Sequence, residues 1–137
     1  MARSFFFDTI TLAAPKEKIY RRLGYRKGTT RLKPHEAEET DRAIDDALSL
    51  IRLAGVAVRL AIDREKDTEI KLANGETLAS RSLAGLLRHS DEVMLMGATA
   101  GAAIMEEIKK DAGQGRMTRA VVLDAAASEV VDLALDW

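Results

Sequence analysis

The sequence predicts an α+β fold, an antiparallel β-meander with packed helices. Three observations predict it. Val56, Val58, Leu60 and Ile62 alternate with Ala57, Arg59, Ala61 and Asp63, the period of a half-buried strand. Apolar residues at helical spacing lie on both sides of that region. Asn74-Gly75 between apolar runs marks a tight two-residue hairpin turn, since both residues tolerate positive φ.

The first element expected is a strand over residues 4–12. Phe6, Ile10 and Leu12 share one face with Asp8, while Phe5, Phe7, Thr9 and Thr11 share the other. Pro15 then stands where a helix begins, and Lys16 to Leu23 forms a short one that Gly24 stops. A second helix starts at Pro34, where Glu36, Glu38 and Glu39 complement the positive end of the helix dipole. Ala43, Ile44, Ala47, Leu48, Ile51 and Ala54 share one face, so this helix is expected to reach Ala54, with Gly55 as its cap.

The meander follows, with Ile70 and Leu72 alternating with Glu69 and Lys71. Ser80 or Ser82 caps a short helix ending near His89. Residues 92–98 read as a buried strand, Thr99 to Lys110 as a helix, and Gly113-Gln114-Gly115 as a loop. A last helix runs from about Met117 to Trp137. Met117, Ala120, Val121, Ala127, Val131 and Leu135 form its expected core stripe, which Val122, Ala126, Val130, Leu133 and Ala134 widen.

Composition narrows the function. The 137 residues fit a single domain, 1–137, and at 47% hydrophobic they hold enough apolar surface for a core. The 21 basic and 22 acidic residues nearly cancel, which argues against a general binder of nucleic acid or membrane surfaces. Charge is nonetheless segregated. Residues 16–33 carry eight Lys or Arg against one Glu, and residues 34–46 carry six acids against one Arg. The segment Tyr20 to Lys27 mixes bases with aromatics, as a phosphate or RNA contact would; two oppositely charged faces of one neutral domain explain it more simply. Cysteine is absent, which removes disulfides, thiolate metal sites and a Cys nucleophile. The two histidines, His35 and His89, lack metal-ligand spacing. No segment approaches the ~20 apolar residues of a membrane span, and the opening apolar run is too short for a signal-peptide core. The expected location is the cytoplasm.

Two places stand out as candidate sites. Asp124 lies in the expected apolar stripe of the last helix, where a carboxylate needs either a structural partner or a ligand. Glu129, Asp132 and Asp136 form a separate acidic edge, which either faces solvent or meets a cationic ligand. The second place is Gly97-Ala98-Thr99-Ala100-Gly101. Such small residues between strand and helix admit either a ligand or another backbone at close range. The pattern matches no dinucleotide or nucleoside-triphosphate motif.

Several segments together resemble a known family. Ile19-Tyr20-Arg21-Arg22-Leu23-Gly24-Tyr25 is similar to its early Y-x-R-L-G-Y element. Leu95-Met96-Gly97-Ala98-Thr99-Ala100-Gly101 is similar to its small-residue turn. Ala120 to Ser128, continuing to Asp132, resembles its L-D-A-A-G-S helix. With the acidic helix and meander in the same order, the chain resembles the activation domain of vitamin-B12-dependent methionine synthase. The resemblance implies that fold. It also implies binding of S-adenosylmethionine, and docking on a cobalamin-binding methyltransferase subunit or domain during reductive methylation of cob(II)alamin. Asp132 matches a ligand-contacting position, with Asp124 as either its neighbour or a structural anchor, and Ala98, Thr99 and Gly101 match the pocket lining. The module is not expected to be catalytic alone. The family's downstream Arg-x-x-x-Gly-Tyr stretch does not occur in these residues, and the last helix has no stop signal. The expectation is therefore a stand-alone, C-terminally short form, able to pair with another copy through the apolar surface so uncovered.

Overall fold

The computed structural model describes residues 2–63 and 66–137. Its described elements are β1 (Arg3–Phe7), α1 (Lys16–Arg22), α2 (Pro34–Leu50), β2 (Ala54–Asp63), β3 (Ile70–Leu72), β4 (Thr77–Leu78), α3 (Arg81–Leu86), β5 (Glu92–Thr99), α4 (Ala102–Gly113) and α5 (Met117–Asp136). The fold is mixed α and β with an antiparallel sheet. The chain forms two compact units: Met1–Phe7 with Val56–Gly97, and Asp8–Gly55 with Ala98–Trp137.

The first unit is built on the sheet. β1, β2, β3 and β4 follow one another across it, and β5 pairs with β2. β2 and β3 are antiparallel with Ile62 opposite Leu72, and β3 and β4 are antiparallel with Ile70 opposite Leu78. Leu60, Ile70, Leu72 and Ala84 form the core of this unit, and α3 supplies Ala84. The turn between β3 and β4 takes three residues rather than two. Gly75 alone has positive φ (+92°), while Asn74 keeps negative φ and accepts a hydrogen bond from the Glu76 amide through Oδ1. A turn followed by a left-handed glycine joins antiparallel strands in this way. Ser80 is the residue that caps α3, its Oγ accepting from the Leu83 amide at 3.2 Å.

β5 departs from expectation. It was expected to be buried, yet Met94, Leu95 and Met96 are all exposed, Met96 at 55%. β2 is the one strand neighbour of β5 among the described residues, so β5 lies at a sheet edge. Because successive side chains point to opposite faces, the exposure of all three means that neither face is covered there. β1 is also shorter than the 4–12 expected. Phe6, expected on the core face, is 75% exposed.

The second unit is helical. Its core gathers Ile19 of α1, Ala43, Ile44 and Ala47 of α2, Ile104 of α4, and Val122, Leu123 and Ala125–Ala127 of α5. α2 stops at Leu50 instead of Ala54, with Ile51 already extended (ψ 130°). Hydrogen bonds to other segments take the backbone over there. The Arg52 amide donates to Ala100 O at 2.8 Å, and Leu53 O accepts from the Ile10 amide at 2.9 Å. Extended pairing thus outcompetes the helical pattern through Ala54. At the other end, Pro34 opens α2 and Glu36 Oε2 accepts from the Lys33 amide at 3.0 Å.

α5 packs on α1, α2 and α4. Its buried residues are Ala120, Val122, Leu123, Ala125, Ala126, Ala127, Val130 and Ala134. Met117, Val121 and Leu135, expected in the core stripe, are exposed, Val121 at 52%. The covered face centres on Leu123 and Ala126. One residue further is a rotation of about 100°, which carries Asp124 out to solvent. Among the described residues, no helix is long and apolar enough to cross a membrane.

Candidate functional site

The acidic edge of α5 meets a cation from the far end of the sequence. Arg22, in the last turn of α1, donates through Nε to Glu129 Oε2 at 2.8 Å and through Nη2 to Asp132 Oδ2. Glu129 and Asp132 lie three residues apart on one helical face, so one guanidinium spans both. The Glu129 hydrogen bond, with that to Asp132 behind it, outweighs slight desolvation and raises the Arg22 pKa further. Lys18, Arg21, Arg22 and Glu129 line a shallow hollow of about 320 Å³ beside this junction. Asp136 is exposed at the end of the same edge.

The glycine turn is occupied differently. Gly101 has φ +89° and ψ 169°, a conformation open to glycine alone. A Cβ there would meet the backbone oxygen of Arg52 at 3.1 Å and Cβ of Arg52 at 3.2 Å. The close neighbour at this position is another backbone. Thr99 Oγ1 accepts from the Gly101 amide at 3.1 Å, which pins the turn. Ala98 is half-buried and Thr99 exposed.

Of the candidate residues, the structure joins Thr99 to Gly101 and gives Asp132 a partner in Arg22. Among the described residues, no hydrogen bond or ion pair links either pair to Asp124, which is exposed. The buried carboxylate anticipated at Asp124 exists elsewhere, at Asp111.

Asp111 is fully buried at the end of α4. It accepts from Arg116 Nε at 2.8 Å and from Arg119 Nη1, both guanidinium groups belonging to the start of α5. Arg119 extends the network to Glu107 Oε1 at 3.0 Å and to Asp46 Oδ2 of α2 at 3.1 Å. Burial pushes the Asp111 pKa up. The hydrogen bonds from Arg116 and Arg119 outweigh that and hold it below the ordinary carboxylate value. One carboxylate thereby ties α4 to α5, and Arg119 adds α2. A signal for it was available. Ile104, Ile108 and Asp111 fall at i, i+4 and i+7, on the face α4 turns to the core. Ending the helix at Lys110 left Asp111 outside the pattern.

A cleft of about 750 Å³ opens near this network, lined by the acids Glu36, Glu39 and Asp46, the bases Arg42, Arg116 and Arg119, and the apolar Ala43 and Val122 among others. Opposite charges balance there, and Asp46 already holds Arg119. Among the described residues, no three His, Asp or Glu side chains gather as a metal site requires. Comparison with models of known protein families and with curated proteins finds no match to the chain.

Proposed function

We propose that the chain is an accessory module of a cobalamin-dependent methyltransferase of the methionine synthase type. In this reading it binds S-adenosylmethionine and docks on a cobalamin domain, supporting reductive methylation of cob(II)alamin. The observation that carries the reading is the junction of Arg22 with Asp132. These residues belong to the first and last segments of the resemblance, 110 positions apart. The donor set suits the ligand, because two carboxylates that hold a guanidinium can hold another cationic group in its place. S-adenosylmethionine would supply the methyl group, and the residues of this chain would bind and orient it. Asp132 and Glu129 would take its cationic end. Ala98 and Thr99 would line its other side, with Gly101 shaping the turn against Arg52 and Asp124, linked to neither pair, left without an assigned contact.

Isothermal titration tests the ligand half. S-adenosylmethionine is expected to bind, and Asp132→Asn to weaken it. Absence of heat at millimolar ligand, with the fold confirmed by circular dichroism, rejects it. A second reading, a ligand-free interaction module, is favoured by the exposed Met94, Leu95 and Met96 of β5. It predicts association with a cobalamin protein, or with a second copy, whether or not S-adenosylmethionine is present. Light scattering of the chain with that partner, in the presence and absence of S-adenosylmethionine, separates the two readings.

A further inference from the structure

We propose that the end of α1 and the loop after it form a binding site for a phosphate-bearing aromatic ligand, in class a mononucleotide. Two hollows of about 570 Å³ and 460 Å³ flank this segment, and both are lined by Arg21, Tyr25, Arg26 and Lys27. Volumes of this order suit a small molecule better than a flat macromolecular contact. Thr30 contributes a hydroxyl to the second hollow, and Lys16 and Glu17 lie on its wall.

Several of the protein's cations are tied up in ion pairs, and those of this segment are among the ones that are not. Arg22, Arg42, Arg59, Arg116 and Arg119 are each paired with a carboxylate. Lys16 is paired too, with Asp41 at 2.9 Å. Among the described residues, the side chains of Arg21, Arg26 and Lys27 have no acidic partner, although the protein is nearly neutral. Three unpaired cations around a concave surface suit a phosphate or diphosphate group.

The aromatic component is fixed in advance. The Tyr25 ring packs on Tyr20 at 5.5 Å between centroids, tilted by 55°. Tyr20 is itself anchored, its hydroxyl donating to Asp41 Oδ1 at 2.5 Å. The loop is shaped as well: the Arg26 amide donates to Thr30 Oγ1 at 2.9 Å, and Arg26 O accepts from the Thr30 amide at 2.9 Å. A held ring beside unpaired cations can stack a base while the cations take its phosphates. An extended polymer is disfavoured, because the basic run of residues 16–33 gives way at once to six acids in residues 34–46 and the chain carries no net positive charge.

The test is independent of the proposed function, because it uses neither S-adenosylmethionine nor a cobalamin protein. ADP, GDP, UDP, inorganic pyrophosphate and a short single-stranded RNA are titrated into the full chain. At least one nucleotide is expected to bind more tightly than pyrophosphate. The exposed double variant R26Q/K27Q should weaken it by about tenfold or more. Tyr25→Leu should weaken the nucleotide by about tenfold and leave pyrophosphate unchanged, with circular dichroism confirming the fold. The proposal is overturned by three results: no binding of any nucleotide at millimolar concentration, equal affinity for pyrophosphate and nucleotides, or RNA binding that nucleotides do not displace.

Discussion

Gly101 sits against the backbone of Arg52, whose carbonyl oxygen lies 3.1 Å from where a Cβ would be. The same Arg52 donates its amide to Ala100 O, so the two segments are hydrogen-bonded at the point of contact. Glycine is required there both by its φ of +89° and by the lack of space. Gly75 also has positive φ, but nothing lies within 4 Å of a Cβ there. Gly75→Ala should cost about 1–2 kcal/mol from conformation alone. Gly101→Ala should cost more, since a rigid backbone atom blocks the new methyl group. Urea denaturation of both variants checks the order, and equal midpoints would contradict the close approach.

The register of α5 gives a second prediction. Leu123 is fully buried and Val121 is half exposed. Leu123→Ala should destabilise the chain by about 2–5 kcal/mol. Val121→Ala should change stability by no more than about 0.5 kcal/mol. Thermal or chemical unfolding distinguishes this register from one with Val121 in the core, which would reverse the order.

Asp111 predicts a dependence on acid. Its carboxyl pKa is lowered in the folded state, burial being outweighed by the hydrogen bonds from Arg116 and Arg119. The folded protein therefore binds fewer protons than the unfolded chain at this site. The resulting stability is fully present above the ordinary carboxylate pKa of 3.8 and is lost as pH falls through the lower folded value. Asp111→Asn should be markedly less stable than wild type at neutral pH, with the difference shrinking toward the acid limit. Urea midpoints measured from pH 7 downward test this. A constant difference across that range would show that the carboxylate charge is not what matters.

Periodicity made the helices and most of the meander legible in the sequence, although at the start of β2 Val56 is exposed and Ala57 buried, against the expected alternation. Pro34 and Glu36 open α2, Ser80 caps α3, and Ile62 faces Leu72 across β2 and β3. Element ends were less legible where distant segments compete. Nothing near Leu50 reveals that Arg52 and Leu53 will pair with Ala100 and Ile10. The exposure of β5 was hidden for a related reason: apolar composition does not say whether other elements will cover the faces of a strand. At the candidate site, the acidic edge of α5 was visible as spacing, but Arg22 as its partner depends on tertiary packing across more than a hundred residues. Asp124 was misplaced by a single position on the helix, enough to exchange core for solvent.

The exposed edge at β5 also has a colloidal consequence. From Val93 to Thr99 it carries no charge, proline or other gatekeeper. An edge of that kind offers its unpaired amides and carbonyls to any extended segment, including those of partly unfolded chains. A charged substitution within Met94–Met96 is therefore expected to lower association at high concentration while leaving the ion pairs of the helices untouched, which light scattering and urea denaturation of the same variant would show.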